Sequence, residues 1–255
     1  MINHLLTLFS QIHDNKPPLL YYFAALPSSL PVGWQVFGFR LLLLLWMILT
    51  VYVFYLLSQK FLSKSLSRVS VLVFILLSSI PLIEGNIANA EIFMLLPTLA
   101  AFLLFYRATA FDAATRLSPK ILFYSGLLLG LAFTLKVPVA IEFFFLLVWY
   151  FFVLKQYRQF KNLILFCFSF ISPILAFYLY FAIKGAGSQF LFAALFQNFS
   201  YLGSWTAGSQ SASAASGGMI WRLGLMFLSW LVLFFLYRQK RLDKKLFFLS
   251  AWFMA

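Results

Sequence analysis

The sequence predicts an all-α protein, a polytopic bundle of about seven full membrane-spanning helices with an eighth begun near Leu246, and three observations carry that expectation. The first is composition. Of 255 residues, 64% are hydrophobic and 21% aromatic while only 10% are charged, which is more apolar surface than a soluble core of this size encloses. The second is the recurrence of apolar runs, approximately at 37–58, 68–84, 91–106, 120–136, 138–154, 163–183 and 219–237. Roughly 20 helical residues cross a hydrocarbon layer of roughly 30 Å, and only helices or closed barrels cross it without stranding backbone polar groups. The period-two alternation of a barrel is absent. The runs flanking Pro138 read either as two helices or as one broken at the proline.

The third observation is where the charge falls. Alternate connections hold Lys60, Lys64 and Arg68; Arg107, Arg116 and Lys120; Lys155, Arg158 and Lys161; and Arg238, Lys240, Arg241, Lys244 and Lys245, which is fourteen of the nineteen lysines and arginines. Cytoplasmic loops retain positive charge, so these connections face inward. The intervening ones, at 85–90, around Lys136 to Pro138, and at 185–218, face outward. A net charge of +13 is therefore a topology signal, and nucleic acid is not an expected partner. Residues 1–36 form an outer loop with a juxtamembrane segment, and 37–255 the transmembrane domain. The first sixteen residues lack the basic segment, apolar core and small-residue cleavage site of a secretory leader. The single cysteine, Cys167, sits within an apolar run, so the chain builds neither an internal disulfide nor a cysteine metal cage. His4 and His13 have no partner at zinc spacing, and no cofactor is expected.

On this topology the other basic residues, Lys16, Arg40, Lys136, Lys184 and Arg222, all lie at the outer face, as do four of the six acids: Asp14, Glu84, Glu91 and Glu142. Charge held near a membrane against the positive-inside bias is costly and marks functional candidates. In His13-Asp14-Asn15-Lys16-Pro17-Pro18-Leu19, two prolines fix an extended backbone and place the Lys16 ammonium and the Asp14 carboxylate beside an aromatic, interface-seeking helix. A cation so placed can grip a lipid phosphate; the plainer reading is a proline-stiffened lead into an interfacial helix with a snorkelling lysine. Arg40, one turn into its span, reaches either a phosphate or outward to the interface. Glu84 serves the site or caps a helix end, and Glu142 serves the site or pairs with Lys136. Residues 190–196 suggest a short interfacial helix, and the small, polar segment 203–218 is either a lid or slack.

Lys16-Pro17-Pro18-Leu19, followed some twenty residues later by Gly38-Phe39-Arg40-Leu41, resembles the superfamily of dolichyl-phosphate-mannose protein mannosyltransferases and aminoarabinose transferases. Glu84-Gly85-Asn86-Ile87-Ala88-Asn89-Ala90-Glu91 resembles its second outer loop, and the helix from Gly126 through Gly130 to Thr134, Lys136 and Pro138 is similar to its small-residue helix. The resemblance is good over about residues 12–160 and rests on topology beyond. It implies a GT-C-type fold in the cell (inner) membrane, a polyprenyl-phosphate sugar donor and an active site facing the periplasm or exterior. It also implies that Lys16 contacts the carrier phosphate and that Glu91 belongs to an acidic lip. Two departures accompany it: the family has aspartate where Glu91 stands, and its catalytic aspartate follows a first helix that would precede this chain, which reads as a fragment. Asp14 is the carboxylate left in that region.

Inverting transfer needs a carboxylate to take the acceptor proton and cations to stabilise the departing phosphate. The candidate set is Asp14 and Glu91 for catalysis, and Lys16, Arg40 and Lys136 for the donor phosphate. The alternative expectation, a transporter or flippase of a lipid-linked sugar, calls for charges deep within helices along a path, and the apolar runs here are nearly charge-free. A topology prediction follows from the division of basic residues: a cysteine replacing Ser209 should react with an impermeant thiol reagent in intact cells, whereas one replacing Lys240 should react only after permeabilisation. The reverse pattern would overturn the orientation.

Overall fold

The computed structural model describes residues 8–9, 16–80, 89–110, 118–154, 159–197 and 212–253. Asp14, Glu84, His4, His13 and the segment 203–211 lie outside the described residues, as does the Arg222 side chain. The chain divides into two compact units, Met1–Ala194 and Leu195–Ala255.

The first unit is a helical bundle: α1 (Leu19–Ser28), α2 (Gln35–Ser58), α3 (Lys64–Ser79), α4 (Ala90–Thr109), α5 (Pro119–Phe133), α6 (Val139–Val148, continuing as a π-helix over Trp149–Val153), α7 (Phe160–Ile183) and α8 (Gly187–Phe190), which is followed by a π-helix over Leu191–Phe196 whose last two residues belong to the second unit. Helices α2, α4 and α7 are long and apolar enough to cross a membrane; α1, α5 and Val139–Val153 are shorter apolar helices. Pro138 separates two helices, because α5 ends at Phe133 and α6 starts at Val139. The lipid-facing pattern is explicit on α7, where Ile164, Phe168, Ile171, Leu175 and Leu179 are all exposed at helical spacing. Most of α4, by contrast, is buried among other helices.

Helix α5 is central, packed against α4 on one side and α7 on the other. Its glycines explain the approach to α7. A Cβ on Gly126 would stand 2.0 Å from Ser169 Oγ, and one on Gly130 would stand 2.2 Å from the Phe170 carbonyl oxygen. Without a hydrophobic drive between helices in lipid, such small-residue contacts bring backbones close enough for dispersion and hydrogen bonds to hold them. On the α4 side, the buried Ser125 hydroxyl donates to the Ala101 carbonyl at 2.8 Å. Phe143 of α6 stacks on Phe170 of α7 with centroids 3.8 Å apart.

Prolines inside helices strip a donor from the carbonyl four residues back, and the structure fills two such vacancies. Pro97 leaves the Phe93 carbonyl without its helical partner, and Trp46 Nε1 of α2 donates to it at 3.1 Å. Pro173 does the same to the Ser169 carbonyl, which accepts from the Ser172 hydroxyl at 2.9 Å. Phe23 of α1 stacks on Phe93 at 5.0 Å and meets Trp46 edge-on at 4.8 Å, so α1 is docked over the α2–α4 seam.

At the end of α7, Gly185 takes φ +72°. The Ala186 N–H then reaches the Phe181 carbonyl at 2.8 Å and the Gly185 N–H reaches that of Ala182 at 3.0 Å, a Schellman turn that reverses the chain into α8.

In the second unit, α9 (Ala212–Arg238) and α10 (Lys244–Phe253) form a helical hairpin, with Tyr237 stacked on Phe247 at 4.6 Å. Asp243 Oδ1 caps α10 by accepting from the Leu246 N–H at 2.7 Å. Helix α9 starts before the boundary at 219 expected from hydropathy, because the Ala- and Ser-rich stretch ahead of it carries no helix breaker until Gly217. The eighth run, begun near Leu246, lies in α10.

The glycine contacts make a stability prediction. Gly130→Ala forces a methyl group into the Phe170 carbonyl and should destabilise the bundle by about 1–3 kcal/mol, read as a lowered melting temperature in detergent. Gly224→Ala, inside α9 with nothing within 4 Å of the added carbon, should not lower it, since alanine is the better helix former. Equal behaviour of the two variants would remove the close α5–α7 contact from the account.

Candidate functional site

Three charged side chains lie at one end of the first unit, at the opposite end of α2 and α4 from the Lys60 and Arg107 clusters, two of them in an ion pair and the third acting on it through its charge. Each owes its place to a local feature of the chain. Glu91 lies in the first turn of α4, behind the N-cap Asn89, whose Oδ1 accepts from the Ile92 N–H at 3.1 Å. A carboxylate there is favoured by the helix dipole and by the unpaired N–H groups of the first turn. Lys136 stands in the turn between α5 and α6. The Leu135 and Lys136 N–H groups both bond the Ala132 carbonyl, each at 3.0 Å, so α5 winds tightly to its end.

Lys136 Nζ donates to Glu91 Oε1 in an ion pair, with the two side chains 34% and 49% exposed. Lys16 adds its positive charge to the field at Glu91. Pro17 and Pro18 are buried while Lys16 is exposed, as a proline-anchored, outward-reaching cation requires.

One hydrogen bond holds the Lys-Pro-Pro segment against α5. The Leu19 N–H, in the first turn of α1, donates to the Thr134 carbonyl at the C-cap of α5 at 3.1 Å. Both groups belong to helix ends and lack an intrahelical partner, so a single bond satisfies an orphan donor and an orphan acceptor and fixes Lys16 near Lys136.

The ion pair of Lys136 is with Glu91, 45 positions earlier in the chain and on a different helix. Arg40 is separate: it is exposed on α2 and lines a groove of about 330 Å³ with Ala24, Pro27, Gln35 and Phe39. Among the described residues it makes no ion pair. Lys184 lies 4.8 Å from the centroid of the Tyr180 ring at the end of α7, and Tyr180 in turn meets Tyr22 of α1 edge-on at 6.5 Å. Residues that sequence reasoning passed over are Trp46, Phe9, Tyr22 and Tyr180. Pro97 was a usable signal for Trp46, since a proline within an apolar helix demands an outside donor for Phe93. Among the described residues no group of three or more histidine, cysteine or acidic side chains is positioned to hold a metal ion.

An all-helical set of described elements with three membrane-length apolar helices and a clustered lysine–carboxylate site at one end defines a helical membrane protein. Residues 15–181, well over half of the chain, match the family of dolichyl-phosphate-mannose-protein mannosyltransferases. The chain belongs to that family, and with it to the membrane glycosyltransferases. No match is found among curated proteins or among solved structures.

The exposure of the Glu91–Lys136 pair sets its energetic scale. An ion pair this accessible contributes at most about 1 kcal/mol, so Lys136→Met should shift thermal stability in detergent by no more than about that amount. A loss several times larger would identify the pair as a structural clasp instead of an exchangeable contact.

Proposed function

We propose that this protein transfers a sugar from a polyprenyl-phosphate carrier to an acceptor hydroxyl at the outer face of the cell membrane, as a multi-pass GT-C-type enzyme. The observation that carries the proposal is the convergence of Lys16, Glu91 and Lys136 at one end of the bundle, within a chain of mannosyltransferase family. Lys16 and Lys136 are the cations for the carrier phosphate, and Arg40, on the neighbouring face of α2, is a further phosphate contact. The carboxylate work falls to Glu91 and Asp14.

The ion pair suggests how donor binding arms the site. A carrier phosphate entering between the two lysines competes with Glu91 for the Lys136 ammonium, and in an exposed pair the exchange costs little. Glu91 is then a carboxylate without its salt partner. As the acceptor oxygen attacks the anomeric carbon, its proton passes to a carboxylate, the bond from that carbon to the phosphate oxygen breaks, and the electron pair leaves with the phosphate. The configuration at that carbon inverts. The lysines stabilise the charge that develops on the leaving oxygen, in a site where lipid and apolar helices exclude much of the water.

The test is transfer of labelled sugar from a polyprenyl-phosphate donor in proteoliposomes, with the full-length protein and matched expression and monodispersity. Lys16→Ala removes a charge-assisted contact worth about 1.5–3 kcal/mol, or roughly ten- to a hundredfold in transfer efficiency. Lys16→Arg should retain part of it. If Lys16→Ala and Glu91→Gln both keep normal turnover and donor affinity, the outer cluster is not the transfer site and the transporter reading takes its place.

A further inference from the structure

We infer that Phe9 is a positioning residue for the Lys16 cation, acting as a plug in an aromatic socket on α7 and α8; the inference rests on the functional reading above. Phe9 is 3% exposed and meets two rings edge-on, Phe181 at 5.1 Å and Phe190 at 5.5 Å between centroids. The floor of the socket is made of small, fully buried residues, Ala186, Ala193 and Ala194. It exists because the Gly185 turn folds α8 back on α7, where a Cβ on Gly187 would already be 3.0 Å from Ala182.

Phe9 holds φ +70°, a left-handed conformation that a bulky aromatic residue adopts only at an energetic cost. A residue kept there is over-determined by its surroundings, and here those surroundings are two edge-to-face ring contacts and complete removal of the ring from solvent. Nothing in the local sequence requires the plug, since residues 8 and 9 meet elements more than 170 positions further along the chain.

The consequence lies downstream. Lys16 follows Phe9 by seven positions, a length of chain that spans at most about 25 Å. Beyond Lys16 the chain is fixed again, by the Leu19–Thr134 bond. Lys16 therefore sits between two anchors on different helices, the socket on α7–α8 and the cap of α5. With the plug withdrawn the upstream anchor is lost, and the ammonium gains freedom to move relative to Glu91. Orientation effects of this kind are steep, about a hundredfold in rate for a displacement of about 1 Å.

The experiment is a double-mutant cycle on donor kcat/KM in proteoliposomes, with Phe9→Ala, Lys16→Ala and the two combined, in the full-length protein. Phe9→Ala should lower donor kcat/KM roughly tenfold, Phe9→Tyr should restore most of it, and the double variant should be no worse than Lys16→Ala alone. Losses that multiply, or a Phe9→Ala enzyme as active as the parent, overturn the inference while leaving the Lys16 site intact. A Lys16→Ala enzyme with full activity overturns both. If Phe9→Ala does not reach the membrane, Phe9→Met keeps the bulk but loses the ring edge, and a few-fold loss that vanishes in the Lys16→Ala background is then the expected result. A Phe9→Met loss that persists unchanged in that background overturns the positioning role.

Discussion

Backbone hydrogen bonding in a lipid-solvated bundle governs where this chain places its charges. In hydrocarbon an unpaired N–H or C=O has no water to turn to, so each internal proline and each buried helix end creates a demand that another element must meet. Three of the bonds described above answer such demands: Trp46 to the Phe93 carbonyl, Ser172 to that of Ser169, and the Leu19 N–H to the Thr134 carbonyl. The last has the widest effect. It joins the start of α1 to the end of α5, and because Lys16 precedes one partner and Lys136 follows the other, the two cations are brought to the same end of the bundle.

That arrangement is dependable only if α5 itself is fixed. Gly126 and Gly130 remove the side chains that would hold α7 away, and the Ser125 hydroxyl ties the opposite side to α4. Close backbone packing in the middle of the bundle therefore controls the geometry of a turn at its edge. Glu91 arrives independently, through the Asn89 cap of α4. The carboxylate and the lysines are thus delivered by three different elements, each with its own local reason, and their meeting is a tertiary event. The pair they form is accessible to solvent, and under the proposed function that accessibility is what lets an anionic ligand open it.

Arg40 marks the limit of reasoning by proximity in sequence. Gly38-Phe39-Arg40 stands near the head of α2 and, by topology alone, belongs with the other outer charges. The structure gives it a groove of its own between α1 and α2, lined by Pro27 and Phe39. Its route to a carrier phosphate, under the functional reading, is along this neighbouring face and not through the Glu91–Lys136 pair.

Much of the architecture was legible in the residues themselves. The apolar runs locate α2 and α4 to α7 to within a few residues, because burial in lipid depends on composition and length, whereas α9 begins seven residues ahead of its apolar run. Lys16-Pro17-Pro18 announces an exposed cation on a stiff backbone, because proline's φ restriction is local. What tertiary structure decided is pairing. Nothing in the immediate sequence around Lys136 points to Glu91, 45 positions earlier, and their meeting follows from how α4 lies against α5, where the Ser125 hydroxyl bonds the Ala101 carbonyl. The Phe9 socket is further from view, since it requires a Schellman turn, a run of alanines and a distant aromatic ring to coincide. Periodicity and charge bias are properties of a segment and can be read one segment at a time; contacts between helices depend on how two segments are turned toward one another, and that is set only when all of them pack.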